Sequence, residues 1–208
     1  MFALPRQIAG HLKSNLGLTG EQEEVARYTL EVVIYGAYAL LGAALAGWAL
    51  GCLGPTLVVA LTVFVLRCFS GGAHSNSPWG CFVLSVVLIP FSGKFIVLAA
   101  PLFTFYSLGG LIIPGFVLFF WLTWRLAPVD TPAKPVSSAG QRLRLKVLSL
   151  LTVVFVFLLQ GGLLVLLPWS RAAAAVLALE AGLCWQVFSL TDAGHRLFAF
   201  TDNFKSSA

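Results

Sequence analysis

Val147-Leu-Ser-Leu-Leu-Thr-Val-Val-Phe-Val-Phe-Leu-Leu-Gln-Gly-Gly-Leu-Leu-Val-Leu-Leu167 carries no charged side chain. A helix over this run is about 30 Å long, the thickness of the hydrocarbon core of a bilayer. Further apolar segments at 30–53, 55–66, 81–100, 102–124 and 172–190 extend the pattern along the 208 residues. Composition agrees: 59% of the chain is hydrophobic and 10% charged, where a soluble domain carries about 25% charged residues. The sequence therefore predicts an all-α, polytopic membrane protein with about six transmembrane helices, one integral membrane domain spanning 1–208. An ordinary soluble enzyme is excluded, and neither a cofactor nor a nucleic-acid partner is expected.

Two segments leave their geometry open. Residues 55–66 supply a short apolar run before Arg67, which predicts a span that is short, tilted or continued by the glycine-rich stretch beyond it. Pro90, Gly93, Lys94 and Pro101 interrupt 81–106, which reads either as parts of two spans or as a re-entrant segment.

The charges orient the bundle. With the N-terminus inside, 11 of the 13 basic residues fall on the cytoplasmic side, and only Lys94 and Arg171 fall outside. Basic residues favour the cytoplasmic face, so an even number of spans with both termini inside is expected. Residues 1–27 hold Arg6, Lys13, Glu21, Glu23, Glu24 and Arg27 and lack the apolar core of a cleaved signal. Ile8, Leu12 and Leu16 recur every fourth residue, which predicts an interfacial amphipathic helix over 4–17 against membrane lipid. Thr19 followed by Gln22 predicts a capping box opening the first span. The polar linker 125–146 has a net charge of +4, and Pro128, Pro132 and Pro135 keep its first half extended. Topology and contact with anionic lipid account for most of that charge.

Arg67-Cys-Phe-Ser-Gly-Gly-Ala-His-Ser-Asn-Ser-Pro-Trp-Gly-Cys81 is where His, Cys, paired glycines and small hydroxyls cluster. On one continuous helix His74 and Cys81 would stand about 10 Å apart along the axis, too far for proton transfer. Ser77-Pro78 signals a new helix start, which places Cys81 in or just past a first turn. Gly71 and Gly72 then allow the loop to fold the imidazole back towards the sulfur. An imidazolium and a helix N-terminus would each lower the thiol pKa. The same residues admit a bland reading, with Cys81 a small packing residue and His74 a solvated loop side chain. Cys68, His74 and Cys81 are zinc-type ligands, but their spacing matches no common zinc pattern, so no metal is expected. Cys52 and Cys184 sit in apolar surroundings and read as structural. Ser75, Asn76 and Ser77 are candidate orienting groups.

At these residues the chain resembles the AgrB family, the accessory gene regulator B proteins. The resemblance rests on Arg67 to His74 followed by Cys81, on Ala127-Pro-Val-Asp-Thr-Pro-Ala-Lys-Pro-Val136, and on Ser189-Leu-Thr-Asp192. It implies a cysteine endopeptidase of the bacterial cell membrane that processes quorum-sensing propeptides. His74 matches the family's general base and Cys81 its nucleophile, with Arg67, Gly71 and Gly72 in the surrounding motif. The resemblance further implies release of a C-terminal tail through an acyl-enzyme thioester, and cyclisation of the remainder to a thiolactone or lactone autoinducing peptide. The implied partners are an AgrD-like propeptide with an amphipathic leader and an acidic tail, and a second copy of the chain in a homodimer. Lys134, Arg142, Arg144 and Lys146 are candidates to receive the acidic tail. No third catalytic residue is fixed by the motif; Asp130 is a candidate as the one acidic residue of its loop.

A different class stays open at this point. Glu31 and Glu180 lie inside spans, where a charge is costly, so each is expected to face a partner or a polar cavity. Six spans with two such carboxyl groups also describe a peptide transporter or permease component.

Overall fold

Each long helix begins and ends on a signal that can be traced to particular residues. The computed structural model describes residues 3–73, 78–129 and 138–203, and all regular structure among them is helical. In chain order the helices are α1 (Ala3–Leu16), α2 (Gly20–Ala49), α3 (Leu53–Ser70), α4 (Pro78–Ala99), α5 (Phe105–Leu126), α6 (Ala139–Leu166), α7 (Trp169–Phe188) and α8 (Asp192–Asn203), with a 3-10 turn at Ala100–Leu102. Helices α2 to α7 are long and apolar enough to cross a membrane. The chain is a multi-pass, all-α membrane protein.

The caps explain the starts. Thr19 Oγ1 accepts from the Gln22 amide at 3.3 Å while Gln22 Oε1 accepts from the Thr19 amide at 3.0 Å, the reciprocal box expected at the head of α2. Thr104 and Ser107 repeat the device at α5. Lys13 Nζ donates to Glu23 Oε2 at 2.6 Å, an exposed pair that ties α1 to α2.

Several boundaries differ from those read off the chain. Helix α3 occupies 18 residues, because Pro55 falls among first-turn positions whose N–H groups have no helical acceptor, and because Arg67 does not stop it. Residues 78–99 form one helix with Pro90 inside it, and the single turn at 100–102 leads on to α5 at Phe105, so 81–106 holds nearly all of one span and only the first residues of the next. The linker is shorter than 125–146. Ser138 Oγ accepts from the Gln141 amide at 3.2 Å and starts α6 at Ala139, so Arg142, Arg144 and Lys146 stand on a helix and not in a loop. The amphipathic α8 has no counterpart among the expected elements; Thr191 Oγ1 accepts from the Gly194 amide at its head.

Successive spans run antiparallel. At one end Val129 N donates to Ser70 O and Ala73 N to Ser189 O, which brings the ends of α3, α5 and α7 together. At the other, Lys94 Nζ donates to Leu50 O, and the rings of Phe105 and Trp169 lie 6.3 Å apart. Helix α7 is the axis of the bundle, packing on α3, α4, α5 and α6. Leu66, Phe119, Val153, Leu183 and Val187 form an apolar cluster beneath the first end. Helix α2 is peripheral, and Val33, Leu41, Leu45 and Trp48 stay exposed along it, as suits a surface in contact with lipid.

Both intramembrane carboxyl groups have partners. Glu31 lies 3.9 Å from Arg27 Nε one turn earlier on α2. Glu180 is buried, accepts from Gln160 Nε2 at 2.7 Å, and lies against α5 at Gly115, where a Cβ would come within 1.9 Å of Glu180 Oε1. Replacing Gln160 by methionine should therefore destabilise the protein by about 1–3 kcal/mol, because the carboxyl group loses its donor. The Gln160→Met/Glu180→Met double variant should recover most of that loss, since both halves of the polar pair are gone. Thermal unfolding of the detergent-solubilised protein checks the order; a double variant melting below the single would refute it.

Candidate active site

The loop after α3 is built for close approach. Gly71 has φ +69° and Gly72 φ +140°, conformations that side-chain-bearing residues resist. A Cβ on Gly71 would come 2.5 Å from the carbonyl oxygen of Val129, and one on Gly72 would come 2.7 Å from Ser189 Oγ. The paired glycines thus let residues 71–73 thread between the segment after α5 and the end of α7.

Hydrogen bonds hold that thread on several sides. Gln186 Nε2 donates to Gly71 O at 2.7 Å and to Ser70 Oγ at 3.1 Å. Ala73 N donates to Ser189 O at 2.9 Å, and the Arg67 guanidinium donates to Ala73 O. Val129 N donates to Ser70 O at 2.9 Å. Ser70, Gln186 and Ser189 are buried, forming a polar floor over the apolar cluster around Leu66 and Val187. The Arg67 guanidinium also lies 5.9 Å from the ring centroid of Phe198, a buried residue of α8. Arg67 therefore joins α3, the loop and α8.

Arg67 and Gly71 are joined by the Gly71 N to Arg67 O bond at the end of α3, with Gly72 next along the loop. Helix α4 begins at Pro78 and carries Cys81 in its first turn. His74, Ser75, Asn76, Ser77, Asp130 and Lys134 lie outside the described residues, as does the Cys81 side chain. Arg142, Arg144 and Lys146 occupy the first two turns of α6, which starts at the same end of the bundle. Lys146 Nζ stands 5.9 Å from the centroid of the Trp124 ring, and Arg125 lies similarly over Trp121. The remaining thiols differ in setting: Cys52 is buried, 3.6 Å from Pro90 O, whereas Cys68 and Cys184 are exposed on their helices. Cys184 is thus a surface residue of α7 and not the packed one its apolar neighbours in sequence suggest.

Gln186, Ser189 and Phe198 were not singled out in the sequence. A weak signal was present in Gln186, a polar residue near the end of an apolar span, and in Ser189, within the late segment that carried the resemblance.

The family model for accessory gene regulator B matches residues 6–190. An AgrB-like protein of Clostridium perfringens strain SM101 / Type A is 28% identical over 207 residues, covering 97% of this chain and 96% of that protein. A second, from Clostridium perfringens strain 13 / Type A, matches with the same identity and coverage. No solved structure matches the chain. A match running from α1 to the end of α7, across the glycine pair and every span, establishes that the chain belongs to the accessory gene regulator B family, peptidase-type proteins of autoinducer-peptide processing.

Proposed function

We propose that the protein is a membrane-embedded cysteine endopeptidase in which His74 and Cys81 cut a short propeptide and hold the leading part for cyclisation. The observation that carries this reading is the fixed Gly71–Ala73 thread ending one residue before His74, with a fresh helix starting at Pro78 and bearing Cys81 in its first turn. In general the first turn of a helix, with its free N–H groups and positive end, favours a thiolate and an oxyanion.

The chemistry balances without any added reactant. His74 takes the proton of the Cys81 thiol, and the sulfur attacks the scissile carbonyl. The C–N bond breaks, the new amine receives that proton from His74, and the acidic tail leaves. The leading part remains as a thioester on Cys81. A Cys or Ser hydroxyl or thiol within the peptide then attacks the thioester, closes a thiolactone or lactone, and returns the proton to Cys81. Ring closure competes with hydrolysis, and a site at the bilayer boundary limits the water that can intervene.

The cationic end of the bundle suits an acidic tail. Arg142, Arg144 and Lys146 on α6, with Lys134 before it, supply charge at the end where α4 begins. The same asymmetry supports an active site facing the cytoplasm with both termini inside. The carboxyl groups that raised a transport reading have partners in Arg27 and Gln160, which accounts for them without a translocated solute.

The test is reconstitution of the purified protein in proteoliposomes with synthetic candidate propeptides that carry an amphipathic leader, an internal Cys or Ser and an acidic tail. The expected result is a tail-free peptide, together with a Cys81-linked acyl group seen by mass spectrometry and removed by hydroxylamine. Cleavage proceeding with no acyl group ever found on Cys81 would overturn the reading.

A further inference from the structure

We propose that Gln186 is a positioning residue for the reaction, holding through the Gly71 carbonyl the backbone that leads into His74. The inference rests on the His74 and Cys81 reading above. Gln186 is fully buried in the last turn of α7, 115 positions along the chain from the glycine it holds.

The direction of its amide is set by what it meets. Gly71 O can only accept, so the group facing it at 2.7 Å is the NH2, with Ser70 Oγ as its second acceptor at 3.1 Å. The other end of the amide is left over: Gln186 Oε1 is buried and has no hydrogen-bond partner among the described residues. An orphaned buried acceptor is costly, and an apolar side chain of similar volume would avoid it. What the amide adds at this position is therefore its donor, and the donor goes to the loop.

The loop needs that donor. Gly71 and Gly72 give residues 71–72 a freedom no other pair would have, and freedom is the opposite of what a general base requires. Gln186 holds the Gly71 carbonyl, Ser189 O holds the Ala73 amide, and Arg67 holds the Ala73 carbonyl. The peptide between Ala73 and His74 is thus secured from its carbonyl side. Without Gln186 the hinge at residues 71–72 loses its shorter side-chain bond and its only described tie to α7 through the Gly71 carbonyl, leaving that oxygen the 3.2 Å contact with Ser70 Oγ from the adjacent residue. A displacement of about 1 Å at the base costs on the order of 100-fold in rate.

The measurement is site-resolved alkylation. Iodoacetamide labelling of Cys81 is followed by mass spectrometry of its peptide across a pH series, in the wild type, His74→Ala and Gln186→Met, with Cys68 labelling as a control for folding. In the wild type the pH midpoint should lie below the ordinary thiol value of about 8.5, and His74→Ala should raise it. Gln186→Met should raise it in the same direction while Cys68 labelling is unchanged, and should lower kcat for the propeptide about 10- to 100-fold with KM within about twofold. A Gln186→Met midpoint and kcat equal to wild type, with His74→Ala shifted, would overturn the positioning role and leave the catalytic pair standing. A His74→Ala midpoint and cleavage rate equal to wild type would instead overturn the pair, and the positioning role with it. Should Gln186→Met fail to fold, Gly72→Ala approaches the same contact from the loop, its methyl group meeting Ser189 Oγ and Gln186 Nε2. It should produce the same rise, and an unshifted midpoint would overturn the proposal.

Discussion

Alanine at Cys81 is expected to lower propeptide cleavage by about 10⁴-fold or more, and alanine at His74 by a comparable factor. In the proposed mechanism the two side chains make one device. The sulfur is a competent nucleophile only as the thiolate, and the imidazole is useful only if a thiol gives it the proton that the leaving amine later takes. The Cys81→Ala/His74→Ala double variant should therefore be no slower than the worse single variant. Single-turnover cleavage of the propeptide in proteoliposomes gives the three rates. Losses that multiply would mean the residues act in separate steps, and cleavage that survives Cys81→Ala would remove it as the nucleophile.

Gly71→Ala should be nearly as damaging, although Gly71 has no reactive atom. Its φ of +69° costs a β-carbon about 1–3 kcal/mol in strain. The added atom also points at the Val129 carbonyl oxygen, 2.5 Å away. That oxygen belongs to a backbone held in place by the Val129 N to Ser70 O bond, so it cannot swing aside as a side-chain tip would. Overpacking of this kind typically adds about 1–3 kcal/mol. The cheapest escape is for the thread to leave α7, breaking the Gln186 bond to Gly71 O. Processing should fall at least about 100-fold while the protein remains folded in detergent, because the distortion is confined to one end of the bundle. Near-wild-type processing by Gly71→Ala would mean that the geometry of this loop does not govern the reaction.

Much of the architecture was legible residue by residue. Apolar runs of about 20 residues can do little else than cross a bilayer as helices, since lipid offers no partner to an unpaired backbone group. The capping box at Thr19 and Gln22 and the start of α4 at Pro78 are equally local, each needing only side chains within one turn. Misreadings occurred where neighbours decided the outcome. Pro55 and the charge at Arg67 left the second span open as short, tilted or continued beyond residue 66; α3, packed along α7, runs from Leu53 to Ser70. Basic residues at 142–146 read as loop because they are polar, although Ser138 provides the cap for a helix that contains them. Helix α8 is not apparent in the sequence because half of its residues are polar and it is short; Phe198 on it is buried at the end of the bundle.

The candidate site divides in the same way. Arg67, the glycine pair, His74, Cys81 and the break at Pro78 lie within fifteen residues, so their spacing shows a loop followed by a new helix, while the parts proposed for His74 and Cys81 come from the resemblance. Gln186, Ser189 and Phe198 lie more than a hundred residues further on, and no local rule links them to Gly71, Ala73 or Arg67. Spacing along a chain encodes helices and turns because those are short-range; a hydrogen bond between α7 and the loop after α3 exists only once the spans have packed. The chain by itself therefore determines the spans, the glycine loop and the helix start at Pro78, whereas only the folded bundle brings α7 and α8 against that loop.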